Sequence, residues 1–527
     1  MELCDLTAHE ITEIIRSKQA SAVEVLQSCL KRIAAVDGKP GSLDSAAESE
    51  EDRKKVHAFI SVLEEDALQD AQKVDRMIQN GEDPGLLAGV PFSAKDVYCV
   101  EGTYTTAASK ILANFKSPYT ATTIQRLKEK GAILVGKVNL DEFTYGSSNE
   151  SSAFKPIPRN PWNTAYVTGG SSGGSAASVA AGEVPLSLGT DTAGSIRQPA
   201  AFCGTVGCKP TYGRVSRYGI VAFASSLDCP GPLSRDVRDA ALMLQAIAGA
   251  DRYDSTAASL PVPNYLAALE DGVRGKRIGL STDYFQISYP DPESGELLQK
   301  PVPDEILAAV QHAADILRDA GAEIIENVPM PNTRYAIPAF FVISRVEAAS
   351  NLHRYDGVKY GYRGGKPGDD LLSMYRKTRN EGFGMQPKLR VLMGMYVSGA
   401  QYAEQYYNRA LKVRAMIRRD FERIFDHKGS YRLDALLTPT TTTPAFQIGA
   451  MGGDSVLMQY ADQFTVSANH AGIPGISLPA GFSNGLPIGI QLLGPDFSEA
   501  SLLQIGRAFE KGSAAEPWRT MKPEVLK

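Results

Sequence analysis

Between Gly169 and Pro199 the chain reads GGSSGGSAASVAAGEVPLSLGTDTAGSIRQP, two turns rich in glycine, serine and threonine joined by an apolar stretch, and upstream Lys95 stands in the apolar run AGVPFSAKD. These residue types supply a nucleophile, a proton relay and a base without histidine. Ser195 follows TDTAG, a turn of small residues, so the N–H groups of Thr192, Ala193, Gly194 and Ser195 can point to one place, as an oxyanion hole requires. As a base Lys95 has to be neutral. Lowering a lysine from about 10.4 to near 7 takes about 4–5 kcal/mol, which burial among apolar groups can supply. A serine between the lysine and Ser195 would relay the proton, and on local grounds Ser171 and Ser172 both qualify. The bland readings are a Gly/Ser linker, a helix-capping Ser195, and a Lys95 paired with Asp96 at the surface. The apolar run after GGSSGGS speaks against the linker.

A Ser-His-Asp triad is the obvious rival. Of the six histidines, His9, His57, His312 and His427 fall in helical or charged surroundings and His353 lies in NLHRYDG. Only His470, in SANHAGIPG, sits in a site-like loop, with no acid signalled beside it. Ser195 also lacks a GxSxG elbow.

Such groups gather where strands of an α/β sheet end and turn into helices. Thr7 with Glu10 and Ser21 with Glu24 form capping boxes that open two helices, and a third is expected around Glu65 to Ile78, so residues 1–80 read as a helical segment. Strand-like runs follow at Leu87–Ala94, Ala132–Val135, Pro185–Gly189, Ile278–Leu280, Ile324–Ile325, Asp434–Leu437, Gly475–Leu478 and Ile488–Leu493. Their alternation with helical patterns predicts an α/β fold, a mixed, mostly parallel twisted sheet with helices on both faces. With similar strands at both ends and no linker, residues 1–527 read as one domain. Two polar segments, about 37–55 and 284–303, read as an exposed loop or mobile insertion and as surface decoration.

Lys plus Arg total 55 against 60 Asp plus Glu, so no overall basic field attracts nucleic acid or an anionic membrane. The six cysteines form no CxxC pair, which argues against a disulfide framework or a zinc site and suits a reducing cytoplasm. The acidic N-terminus does not read as a signal peptide, and no apolar run is long enough for a membrane span.

The run from GGSSGGS to GRVSRYG resembles the signature of the amidase signature family. That resemblance implies Ser195 as nucleophile, Ser171 as bridging serine, held by a cis peptide, and Lys95 as base. VAFASSLDCPGPLSR, SNLHRYDGVKYGYR, TRNEGFG and ANHAGIPGISLPAGF are similar to one branch, the glutaminase subunits of tRNA-dependent amidotransferases. The branch implies that Arg390 binds the glutamine α-carboxylate and Asp462 its α-amino group. It implies assembly with subunits B and C into a heterotrimer, tRNA held mainly by a partner, and ATP and magnesium used by the partner subunit. No metal or cofactor is expected in this chain, which has no phosphate loop of the Gly-x4-Gly-Lys-Ser/Thr type. The alternative is a free-standing amidase for small aryl or aliphatic amides. Two positions depart from the family pattern: VTGG replaces VPGG, and Ala193 stands where glycine is usual. Alanine there requires φ < 0 for an unaltered hole.

Overall fold

The computed structural model describes residues 2–44, 48–291, 293–451, 458 and 460–527. Both capping boxes form: Thr7 and Ser21 accept from the N–H groups of Glu10 and Glu24, whose carboxylates bond back. They start the helices Ala8–Arg16 and Ala22–Val36, which bury Ile11, Ile15, Leu26 and Ile33. The third helix runs Glu64–Gln79.

The strands, in chain order, are β1 (Phe59–Val62), β2 (Pro91–Lys95), β3 (Ile133–Val138), β4 (Leu186–Asp191), β5 (Val206–Lys209), β6 (Cys229–Ser234), β7 (Arg277–Leu280), β8 (Gln286–Pro290), β9 (Leu297–Pro301), β10 (Glu323–Ile325), β11 (Ala435–Pro439), β12 (Gly475–Ser483) and β13 (Leu486–Leu493). Eleven of them make one sheet in the order β1-β3-β2-β4-β6-β5-β12-β13-β11-β7-β10. Parallel pairing occupies two blocks, β3-β2-β4 and β11-β7-β10. Between them every pairing is antiparallel. The expected mixed α/β sheet is therefore present, with a long antiparallel middle.

The sequence reading misses β1, β5 and β6. Strand β6 (CPGPLS) carries Pro230 and Pro232, which remove ladder donors and argue against an interior strand. Both sit opposite β4, at Thr190 and Leu188, while β5 pairs β6 only at Leu233 and Ser234. The prolines therefore lie where β6 has one neighbour.

Strands β2 through β6 are buried along nearly their whole lengths, so helices must cover them. Two of these helices, Gly173–Ala180 and Arg197–Cys203, follow the Ser171 loop and the Ser195 turn, and the second is buried at every residue.

Both polar segments are tied to the fold, the first largely exposed but anchored and the second exposed only in part. In the first, Asp37 is buried and its carboxylate accepts from Ala58 and Phe59 N–H, while Gly41 N bonds Phe59 O and Ser42 pairs with Lys155. Residues 45–47 of that segment lie outside the described residues. In the second, β8 and β9 form a hairpin. Tyr284 at its base is buried with Oη 2.6 Å from Ser467 Oγ, and Ser288 N donates to Gln463 at 2.8 Å. Only its outer part is exposed; residue 292 lies outside the described residues. A polar composition conceals such ties because few buried groups anchor a long loop. Among the described residues no helix is long and apolar enough to cross a membrane. All six cysteines are buried and free.

Candidate active site

Lys95 is the last residue of β2, Ser171 and Ser172 lie just before the helix Gly173–Ala180, and Thr190 is near the end of β4 beside β2. The topology therefore converges on the lysine. Lys95 Nζ lies 2.7 Å from Ser171 Oγ and 2.9 Å from both Ser172 Oγ and Thr190 Oγ1. Burial pushes its pKa down to about 7, although the carboxylates of Asp141, Asp191 and Asp228 pull the other way. A neutral amine has two N–H donors and one lone pair, which matches three hydroxyl neighbours.

The two serines differ in what else they touch. Ser172 Oγ donates to Thr190 O at 3.1 Å and accepts from Thr190 N at 3.2 Å, which fixes its proton on the backbone. Ser171 Oγ has Lys95 as its only hydrogen-bond partner among the described residues. Ser171 is thus the hydroxyl free to pass a proton, and the peptide bond before it, Gly170–Ser171, is cis.

The Ser195 turn is held from below. Arg197 is fully buried and grips Asp191 at the end of β4 through Nε at 3.0 Å and a second guanidinium nitrogen at 3.1 Å. Asp191 Oδ2 also receives the N–H groups of Ile196 and Arg197, and Asn469 donates to Oδ1 at 2.9 Å. Thr465 Oγ1 donates to Ala193 O at 2.6 Å, and Thr192 Oγ1 donates to Asp228, whose pKa burial pushes up to about 6. Gly194 has φ +145°, and a Cβ there would collide with Thr465 Oγ1. Ala193 is not among the positive-φ residues, so the turn keeps its geometry without a glycine at that position. The N–H groups of Thr192 to Ser195 make no hydrogen bond among the described residues, whereas those of Ile196, Arg197 and Gln198 are all used. Four donors therefore remain free beside Ser195.

Arg390 lies in the helix Met385–Ser398 and Asp462 closes the turn Tyr460–Asp462; both are buried. The segment 141–149 links them: the Arg390 guanidinium sits 4.7 Å above the Tyr145 ring, and Ser147 Oγ donates to Asp462 Oδ2 at 2.5 Å. Each keeps an unused group, Arg390 Nε and Asp462 Oδ1, with no hydrogen-bond partner among the described residues. Burial lowers the Arg390 pKa to about 10 and raises that of Asp462 well above the carboxylate range. An opposite charge entering the site would reverse both effects.

Sequence reasoning missed the groups that position these residues. Asp141 accepts from Asn149 N at 3.0 Å, and Asn149 accepts from Gly173 N at 3.1 Å. Gln198 takes Gly170 N and gives its amide to Ser147 O, both at 2.8 Å. Asp141, Ser147 and Asn149 stand in the mixed run DEFTYGSSNE and Gln198 in IRQP, neither of which signals chemistry of its own. His470 points elsewhere: Nε2 bonds Ala336 O at 2.9 Å and Nδ1 is buried with no partner among the described residues. Among the described residues no acid completes a histidine triad there. The group of metal-ligand type among the described residues, His9, Asp236 and Asp239, lies where the helix Ala8–Arg16 meets the start of the helix Val237–Ile247. There Asp239 takes the N–H groups of Ala8 and His9 and Asp236 caps the helix Val237–Ile247.

A family model described as Amidase matches residues 43–503. The chain belongs to the amidase family. Within the family, this amidase is 48% identical over 525 residues, 100% of its own length and 99% of the relative's, to the A-type subunit of the glutamyl-tRNA(Gln) amidotransferase of Moorella thermoacetica. It is 46% identical, over the whole of both chains, to the same subunit of Geobacter metallireducens. The solved structure of the corresponding subunit from Thermotoga maritima has TM-score 0.75 and 36% identity, covering 100% of this chain and 99% of that one. The native peptide amidase of Stenotrophomonas maltophilia has TM-score 0.77 at 30% identity, covering 99% of each.

Proposed function

We propose that this amidase is the glutaminase subunit of a glutamyl-tRNA(Gln) amidotransferase, hydrolysing L-glutamine to glutamate and ammonia. The observation that carries the reading is the pairing of a buried lysine–serine relay with two buried, incompletely satisfied groups of opposite charge type, Arg390 and Asp462. A zwitterionic amide needs both: a planar cation for its carboxylate and an anion for its ammonium. The 48% identity to the Moorella protein over its full length favours the same substrate.

In the proposed scheme neutral Lys95 accepts the proton of Ser171 as Ser171 accepts that of Ser195. Ser195 Oγ attacks the side-chain amide carbon, and the free N–H groups of Thr192 to Ser195 receive the oxyanion. The proton returns to the leaving nitrogen, ammonia departs, and water hydrolyses the γ-glutamyl ester. Every proton transfer uses a protein group, so the scheme requires no metal or cofactor in this chain.

Subunits B and C complete a heterotrimer in this proposal; the partner subunit uses ATP and magnesium and holds most of the tRNA, and the ammonia amidates Glu-tRNA(Gln) there. The compartment is the cytoplasm. The decisive experiment compares ammonia release from L-glutamine, acetamide and benzamide by protein purified with its partner subunits, with Ser195→Ala and Arg390→Ala as controls. Glutamine preference lost in both variants supports the glutaminase. Equal turnover of simple amides, indifferent to Arg390, makes it a free-standing amidase.

A further inference from the structure

Tyr145 combines three features that its neighbours do not share. Its side chain is fully buried, its Oη has no hydrogen-bond partner among the described residues, and its ring lies under the Arg390 guanidinium at 4.7 Å. Phe223 packs edge-on against the same ring at 4.6 Å and Phe143 stacks at 6.0 Å, so two aromatic contacts and one cation fix its plane. Buried hydroxyls are ordinarily paired, and one left without a partner is a cost that a bound ligand can remove. Two residues further on, Ser147 bonds Asp462, so one short loop carries groups that touch both ends of the amino-acid site. The orphaned atoms then sort by chemistry. Arg390 Nε and Tyr145 Oη are donors on two side chains that meet through the guanidinium and the ring, and Asp462 Oδ1 is an acceptor.

We propose that Tyr145 is a specificity residue of the glutamine site, its Oη donating a hydrogen bond to the substrate α-carboxylate beside Arg390, while its ring holds the guanidinium in place. The proposal rests on the glutamine reading of the site. It makes the free α-carboxylate, more than the amide, the feature that Tyr145 recognises. Amides that lack it gain nothing from the hydroxyl and must leave a buried donor unpaired.

The test uses Tyr145→Phe in the enzyme purified with its partner subunits. Phenylalanine keeps the ring beneath Arg390 and removes only an unpaired hydroxyl, so the ligand-free variant should melt at the same temperature as the parent or higher. KM for L-glutamine should rise about tenfold with kcat within about threefold, as for loss of one hydrogen bond to a charged group. With 4-aminobutanamide, which is glutamine without its α-carboxylate, kcat/KM should stay within about twofold. An unchanged KM for glutamine overturns the proposal. So does a fall in kcat shared by both substrates, which is the mark of a merely structural tyrosine whose loss loosens the Ser171 loop. Arg390→Ala separates the two levels: if it raises KM while Tyr145→Phe does not, the tyrosine proposal falls and the glutamine reading stands. If neither variant raises KM, both fall.

Discussion

Lys95 is where burial is turned into reactivity. An amine held near 7 is neutral in about half or more of the molecules at physiological pH, whereas an ordinary lysine is almost wholly charged. In the proposed scheme the base is the unprotonated form of Lys95, so kcat/KM for glutamine should fall about tenfold per pH unit below about pH 7. A profile that keeps its full value down to pH 5 would rule out Lys95 as the base. Replacement by arginine, which stays charged, should lower kcat by a factor of about 10³ or more. Ser171→Ala and Ser172→Ala should not be equivalent. Ser171 has a hydroxyl free for the relay, and Ser172 spends its proton on the Thr190 carbonyl, so the first should cost at least tenfold more in kcat.

At the scale of elements, the turn between β4 and the helix Arg197–Cys203 sets the position of Ser195, the proposed nucleophile. Arg197 is its anchor: five of its hydrogen bonds reach Asp191, Gln491, Thr465 and Asn469. Arg197→Met leaves the Asp191 carboxylate buried without its cation. Such a break costs about 3–5 kcal/mol, to be read as a lower denaturation midpoint together with loss of activity. Gly194→Ala should act more locally. The turn requires φ +145°, and the new methyl would meet Thr465 Oγ1 and Asp462 Oδ1, so kcat should fall at least a hundredfold. A variant with parental kcat would show that the turn does not shape the oxyanion site. Much of this element was legible in the sequence, since PLSLGTDTAGSIR reads as strand, turn and start of helix. The anchor was not, because Gln491 and Asn469 lie almost 300 residues further on.

Across the whole molecule, the N-terminal helical layer joins the core through an acid pair. Asp37 ends the helix Ala22–Val36, and Glu183 follows the helix Gly173–Ala180. Both carboxyls are buried, and burial raises the pKa of each. The folded chain therefore keeps a proton that the unfolded chain gives up above about pH 4.5. Unfolded protein binds fewer protons in that range, so folding stability falls as pH rises. Glu183→Gln removes the part of this dependence that Glu183 carries and leaves that of Asp37. Its melting temperature should overtake that of the parent progressively between pH 5 and 8, and parallel curves would mean that the pair does not share a proton in the fold.

Local sequence was enough for the serine-rich turns, the lysine on a strand, the two capping boxes and most strands, because each is a pattern within a few residues. It could not choose between Ser171 and Ser172, which are adjacent and identical; the backbone partners that Thr190 offers Ser172 distinguish them. Nor could it find β6, whose prolines are tolerated only because β5 stops pairing before it reaches them. The juxtaposition of Arg390, Tyr145, Ser147 and Asp462 also belongs to the fold alone. Sequence patterns record local geometry and burial, whereas a binding site joins residues from distant segments, and only the packed chain decides which of them meet.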